Sequence, residues 1–216
     1  MAKENSNIIT LTKTERQLLL FEIFMNFYGH ELDTILAVLP VGRRMLQRDV
    51  KDLIDAGLIS VKFSKEKRAY LPSDKPVTFH EDKKNPNRTK HLRRLNRLGT
   101  LMKELYNDEI SFYEKFDRSK YTSCKDVYEK LYPNVSGRTR QRDFITLCRI
   151  GYPIRYNHKI QYYEFYENAD YRSEFGVFRE NGKLKRKLGE TDYGMQIIPW
   201  DVIEDPEFFD EYDECW

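Results

Sequence analysis

Cysteine is scarce, with 3 in 216 residues. Cys124, Cys148 and Cys215 are an odd number without regular spacing, which excludes a disulfide scaffold and fits a reducing compartment. The 4 histidines, His30, His80, His91 and His158, are scattered. No Cys or His pair has zinc-ligand spacing, so neither a metal nor a cofactor is expected. Long apolar runs are absent too. The most apolar stretch, Leu18 to Tyr28, includes Glu22 and Asn26 and is too short and too polar to cross a bilayer. The opening Met-Ala-Lys-Glu-Asn-Ser-Asn has no apolar segment of the signal-peptide kind. No membrane partner is expected, and the expected location is the cytoplasm, at the nucleoid. Enzyme signatures are missing as well: there is no HExxH, no Walker A loop and no GxSxG. The carboxylates Asp201, Glu204 and Asp205 have nothing beside them to complete a metal-assisted site, so no catalytic residue is expected.

What the chain has in quantity is aromatic side chains and charge. Its 15 Tyr and 13 Phe supply core-forming groups, while 33% of residues are charged. The net charge of +2 conceals an asymmetry. Residues 190–216 hold ten acidic groups and no Lys or Arg, so the rest carries 37 basic against 25 acidic groups. A basic body implies a polyanionic partner.

A repeat organises that body. Gly42-Arg43-Arg44-Met45-Leu46-Gln47-Arg48-Asp49 opens a segment that reaches Gly57 ten residues after Gln47. Gly137-Arg138-Thr139-Arg140-Gln141-Arg142-Asp143 opens a second, which reaches Gly151 ten residues after Gln141. On a helix, Leu46, Val50, Leu53 and Ile54 share one face, while Arg43, Arg44, Gln47, Arg48 and Lys51 share the other. In the second copy Phe144, Leu147 and Cys148 face inward, and Arg138, Gln141 and Arg142 outward. An apolar back with a basic, amide-bearing front suits a helix in the major groove, where Arg pairs with guanine, Gln with adenine, and further cations reach phosphate. The plainer alternative is the solvated face of an ordinary helix. The acids Asp49 and Asp143 do not suit phosphate and are expected to orient a neighbouring Arg.

Each repeat sits in the same context. Thr12 and Glu15 form a capping box at the head of a helix that stops at Gly29. This helix has two apolar stripes, Leu19-Ile23-Phe27 and Leu18-Phe21-Met25-Tyr28. Such a helix is either the centre of a core or a surface between two protomers, and the second reading gives a homodimer through Leu18–Tyr28. A short helix over 31–39, the turn Pro40-Val41-Gly42, and the repeat helix follow. Then comes a hairpin, 58–63 and 68–71, whose basic tip carries Lys65, Lys67 and Arg68. A helix over 89–106 turns Leu92, Leu95, Leu98, Leu101, Met102 and Leu105 inward, and Lys90, Arg93, Arg94, Arg97 and Lys103 toward water or a partner. Residues 83–103 contain eight Lys or Arg and no acid, which marks the segment as a phosphate contact. Residues 111–119 read as a connection. A helix capped by Thr122 or Ser123 and ended by Pro133-Asn134 precedes the second repeat helix. A second hairpin, 153–156 and 160–166, has His158 and Lys159 at its basic tip.

The fold expected is mainly α with small β-hairpins, an α+β chain. It comprises a first winged-helix domain at 1–75, a linker at 76–88, a second winged-helix domain at 89–168, and a C-terminal extension at 169–216. In that extension 170–188 reads as an arm or a hairpin turning at Asn181-Gly182, and 193–203 is strand-like. Residues 204–216 interleave Phe208, Phe209, Tyr212 and Trp216 with acids. This last segment is a solubilising tail whose aromatics pack on its own domain, or else it competes with DNA for a basic surface or contacts another protein.

Both modules resemble the winged-helix DNA-binding domain of DeoR-like and WYL-containing bacterial transcription regulators. The resemblance is carried by Arg44, Gln47-Arg48-Asp49, Leu53 and Gly57-Leu58-Ile59, and by Arg138, Gln141-Arg142-Asp143, Leu147 and Gly151-Tyr152-Pro153-Ile154. It implies sequence-specific binding of double-stranded DNA through the helices at 43–56 and 138–150, and regulation of transcription. A small-molecule effector is not expected, because neither a sugar-phosphate sensor nor a Trp-Tyr-Leu motif follows. Arg140 stands where the first copy has Leu46, and Ile145 where it has Lys51, so the two reading faces differ. Two other functions fit the same architecture: a plasmid or phage replication initiator with paired winged helices, and a protein-interaction adaptor.

Overall fold

The computed structural model of the chain describes residues 8–26, 30–114, 124–152, 154–157, 162–165 and 176–187. In chain order these are β1 (Ile8–Thr10), α1 (Lys13–Asn26), β2 (His30–Glu31), α2 (Leu32–Val38), α3 (Arg43–Asp55), β3 (Val61–Ser64), β4 (Ala69–Pro72), α4 (Pro86–Glu114), α5 (Cys124–Leu131), α6 (Gly137–Arg149), β5 (Ile154–Asn157), β6 (Tyr162–Phe165), β7 (Val177–Glu180) and β8 (Lys183–Lys187). The fold is mixed α and β: six helices with small antiparallel sheets among the described residues.

The head of α1 is the capping box expected from Thr12 and Glu15. The Thr12 amide donates to Glu15 Oε2 at 2.7 Å, and the Glu15 amide donates to Thr12 Oγ1 at 3.3 Å. The described residues of both apolar stripes of α1 pack within the chain. Leu18, Leu19, Leu20, Phe21 and Ile23 are buried, and α1 packs on α3, α4 and α6. Nothing in the described residues supports the homodimer expected through Leu18–Tyr28, since Leu18 to Phe21 and Ile23 are covered within one molecule; Phe27 and Tyr28 lie outside the described residues.

The first unit runs α1, β2, α2, α3, β3, β4. The hairpin β3–β4 pairs Val61 with Pro72 through Ser64 with Ala69, and β2 adds to its other side, giving the order β2-β4-β3. Phe24 meets His30 and Tyr70 edge-on, at 4.9 and 5.8 Å between ring centroids, and locks α1 to this sheet. The second unit runs α4, α5, α6, β5, β6, with Ile154 opposite Phe165 and Asn157 opposite Tyr162. Its hairpin tip, with His158 and Lys159, lies outside the described residues.

Helices α3 and α6 end alike. Gly57 and Gly151 take positive φ, 68° and 97°. The next amide reaches back to a leucine carbonyl in each case, Leu58 to Leu53 at 3.1 Å and Tyr152 to Leu147 at 3.0 Å. That is the left-handed helix stop that glycine permits and side chains resist. At Gly57 there is a second constraint: a Cβ would lie 2.9 Å from the backbone of Thr78 and Phe79, which crosses directly over it.

Helix α4 is longer at both ends than the periodicity of 89–106 predicts. Pro86 occupies its first turn, and Asn85 Oδ1 accepts from the Arg88 amide at 3.0 Å, a cap-plus-proline start hidden inside a stretch read as linker. At the other end 111–114 is helical rather than a connection, since nothing in that stretch breaks the helix. Leu92, Leu95, Leu98, Leu101 and Met102 are fully buried, and one apolar cluster extends through both units. Gly99 admits Leu58 against the helix, where a Cβ would come within 2.6 Å of it.

A third sheet extends the hairpin reading of 170–188 by one strand that was not foreseen, β1. Hairpin β7–β8 turns at Asn181 and Gly182, both at positive φ, as the Asn-Gly pair suggests. Its strand β8 also pairs with β1, Ile8 opposite Lys187 and Thr10 opposite Lys185, joining residues from the two ends of the described chain. Arg186 is buried in this sheet and donates to the Arg149 carbonyl at 3.1 Å, while Arg149 reaches Glu15 and the Thr10 carbonyl. Residues 193–216 lie outside the described residues.

Gly57→Ala is expected to destabilise the protein by at least about 1–2 kcal/mol, the usual cost of a left-handed non-glycine residue. Contact with the crossing backbone adds to this. A lowered thermal unfolding midpoint checks it, and an unchanged midpoint would show that neither constraint operates.

Candidate nucleic-acid interface

Helix α3 segregates its charge. Arg43, Arg44, Gln47, Arg48 and Lys51 are exposed, and Leu46, Val50 and Leu53 are buried, as the periodicity predicts. Its three acids are on the buried side. Asp49, 1% exposed, accepts from Arg16 Nε at 2.7 Å and Nη2 at 3.0 Å, and from Gln17 Nε2 at 2.9 Å. Asp52 meets Lys13 at 2.8 Å and Arg88 at 2.7 Å, and also accepts from Gln17. Asp55 meets Arg88 and, across one helical turn, Lys51 at 3.0 Å. Burial alone would raise the Asp52 and Asp55 carboxyls, but the hydrogen bonds from these cations hold both below the ordinary carboxylate range. The same contacts, Asp55 first, raise Arg88 above its usual value.

The second copy repeats the arrangement. Asp143, 1% exposed, accepts from Arg97 Nε at 2.7 Å and from Tyr128 Oη at 2.7 Å, with Arg94 at 3.6 Å. Burial opposes charge on Arg97, yet its bond to Asp143 leaves it raised. Burial, with Asp143 adding to it, pushes Tyr128 well above the usual phenol range. In both copies the aspartate of Gln-Arg-Asp is therefore clamped by an arginine of the helix that opens its own unit, Arg16 of α1 or Arg97 of α4. The neighbouring arginine of each acid comes from a different helix, 33 residues away for Asp49 and 46 for Asp143.

The basic stretch 83–103 now has a different reading. Arg88 serves Asp52, Asp55 and Asp82, and Arg93 pairs with Glu81. Arg94 bonds Thr146 as well as approaching Asp143, and Arg97 is closed in against Asp143. Lys103 donates to the Leu58 carbonyl at 3.1 Å and lies over the Phe21 ring, and burial lowers its pKa. The one-signed run largely neutralises acids brought in from α3, α6 and the preceding loop, so Arg97 in particular does not face out. Lys83, Lys84 and Lys90 remain exposed.

At the hairpin, Lys65 and Lys67 are exposed as expected, and Arg68 pairs with Asp33 at the surface. Lys62, which the sequence reading left out, is exposed beside them, and strand alternation was the signal for it. On α6 the outward set is thinner. Arg138 and Arg142 are exposed, while Thr139 and Gln141 are half-buried. Thr139 is spent on the helix start, its amide donating to Ser136 Oγ at 3.3 Å. Arg140 folds back onto Glu129 of α5 instead of facing outward. The departure from Leu46 thus places a guanidinium between two helices, where the first unit has a core leucine.

One titratable side chain joins α4 to this network. His91 Nε2 lies 2.7 Å from Gln17 Oε1, and Gln17 donates its amide hydrogens to Asp49 and Asp52. Gln17 Oε1 therefore accepts and His91 Nε2 carries the proton. Burial first, and then Lys13, lower the His91 pKa from its ordinary 6.5.

Among the described residues no group of three or more His, Cys, Asp or Glu is arranged to hold a metal ion, and no helix is long and apolar enough to cross a membrane. Comparison of the chain with protein families, with curated proteins and with solved structures found no match.

Two measurements follow. Asp49→Ala strands Arg16 and Gln17 and is expected to destabilise the fold by about 3–5 kcal/mol, the cost of breaking a buried pair. Denaturant unfolding checks this, and a loss under about 1 kcal/mol would show the clamp to be idle. For His91 the depressed folded pKa means that the unfolded chain takes up the proton first on acidification. Its contribution is complete above pH 6.5 and declines as pH falls below it. His91→Gln should flatten the loss of stability between about pH 7.5 and 5.5, and identical pH profiles would remove His91 from the account.

Proposed function

We propose that this chain is a sequence-specific double-stranded-DNA-binding regulator of transcription, built on two winged helix-turn-helix modules. The observation that carries the reading is the charge segregation on α3, with Arg43, Arg44, Gln47 and Arg48 on its exposed front and Asp49 and Asp52 turned inward. A helix front without acid can approach phosphate, and its arginines and glutamine have the donor geometry for guanine and adenine edges. The order α1, β2, α2, α3, β3, β4, with the short strand added to the hairpin, supports a winged helix. In this reading α3 enters the major groove, and Lys62, Lys65 and Lys67 of the hairpin lie along the sugar–phosphate backbone. The second module contributes Arg138, Gln141 and Arg142, with a weaker claim on base edges because Gln141 is half-buried and Arg140 is engaged elsewhere.

A selection on random duplexes should yield a preferred sequence, and titration of that duplex should show steep salt dependence, with a log–log slope near −0.9 for each phosphate contacted. Arg44→Ala and Gln47→Ala should each cost about 1–3 kcal/mol on the preferred duplex and relax its sequence preference. Lys67→Ala should weaken all duplexes alike and reduce the salt slope by about 1. If Arg44, Gln47 and Lys67 can all be replaced without change in affinity, α3 is not a reading helix.

A further inference from the structure

We propose that the two units of this chain stand to each other as the protomers of a two-fold dimer, so that one chain reads an imperfect inverted repeat in duplex DNA. The inference rests on the preceding reading for the nature of the ligand and adds the layout of the target.

Side-chain contacts carry the symmetry. Arg16 on Asp49 and Arg97 on Asp143 fix the equivalent positions. Three residues before each arginine, Lys13 and Arg94 meet the residue three after each aspartate, Asp52 and Thr146, so the two units match in register. One residue before each arginine, the contacts cross from unit to unit. Glu15 of α1 binds Arg149 at the end of α6, and Asn96 of α4 donates to the Ala56 carbonyl at the end of α3, at 2.9 Å. A head-to-tail arrangement of two like units makes such a contact in one direction only, whereas contact in both directions is the mark of a two-fold interface. The axis lies where equivalent positions meet. There α1 and α4 pack together, with Lys103, six residues after its arginine, over the ring of Phe21, five residues after its own.

This axis exchanges α3 with α6, and so Arg44, Gln47 and Arg48 with Arg138, Gln141 and Arg142. The C-terminal ends of both helices are held by the opposite unit, which leaves the N-terminal halves pointing away from the axis. Helix spacings of about 8–10 Å, with ~15 Å from each helix end to its front, allow the fronts a separation of up to about 50 Å. Successive major grooves on one face of a duplex are about 34 Å apart, within that reach. A two-fold protein on one duplex aligns its axis with the dyad of the DNA, which makes the half-sites inverted. The shared Arg, Gln and Arg read similar bases in each half. Arg43 and Lys51 have Gly137 and Ile145 as their counterparts, and this leaves the halves unequal.

The test uses the full chain and the duplex obtained by selection. Sedimentation is expected to show one chain per duplex, and footprinting two protected patches centred about 10 base pairs apart. Arg44→Ala relaxes base preference in one patch and Arg138→Ala in the other; both side chains are exposed, so neither change touches the core. Reversing one half-site, or inserting about half a helical turn between the two, weakens binding at least about tenfold, to the level of a single half-site. Half-sites in the same orientation, affinity indifferent to the insertion, two chains on one duplex, or two duplexes on one chain would overturn the proposal. So would an Arg138→Ala variant with unchanged preference, an outcome that leaves reading by α3 standing. If no duplex is bound at all, the DNA-binding reading fails and the layout falls with it.

Discussion

The arginine–aspartate clamp beneath each repeat helix is the interaction on which the rest of the structure depends. Arg16 holds Asp49 and Arg97 holds Asp143, each acid almost wholly out of water. A buried ion pair adds little net stability, because removing two charges from water offsets most of their attraction, yet breaking one leaves a stranded charge. Its effect is to select an orientation. Rotating α3 about its axis would pull Asp49 off Arg16, so the helix keeps its acids inward and its arginines outward. The cationic front is a consequence of where the carboxylates are held.

Helix α4 extends this logic from one unit to two. Arg88 and Asn96 work on the α3 side, Asn96 donating to the Ala56 carbonyl at 2.9 Å, while Arg94 and Arg97 work on the α6 side. Between them runs the buried leucine row, with Gly99 yielding room to Leu58. A single helix thus supplies the countercharges for acids in both units and much of the apolar surface between them. Separating the units would expose those leucines and take Arg88 away from Asp52 and Asp55.

The duplication is closer in its supports than in its exposed faces. The clamped aspartate and the left-handed glycine stop recur with the same partners in kind. The outward residues do not: α3 offers arginines and a glutamine to solvent, whereas α6 withdraws Thr139 and Arg140 into its own helix start and onto α5.

Much of this was readable from the residues, because it depends on local rules. The capping box at Thr12, the glycine stops, the hairpin at Asn181-Gly182 and the inward row of α4 each follow from spacing over one or two turns. So does the outward placement of Arg43, Arg44, Gln47 and Arg48, since helical periodicity alone assigns them a face. Tertiary structure decided the partners. Whether a basic run meets phosphate or an internal carboxylate depends on which acids lie across from it, and Asp52, Asp55 and Asp143 are 33 to 46 residues from the arginines that bind them in ways no local pattern encodes. The pairing of β1 with β8 and the filling of both faces of α1 are of the same kind. A strand three residues long and a helix with two apolar stripes state only that something covers them, and long-range packing chose what.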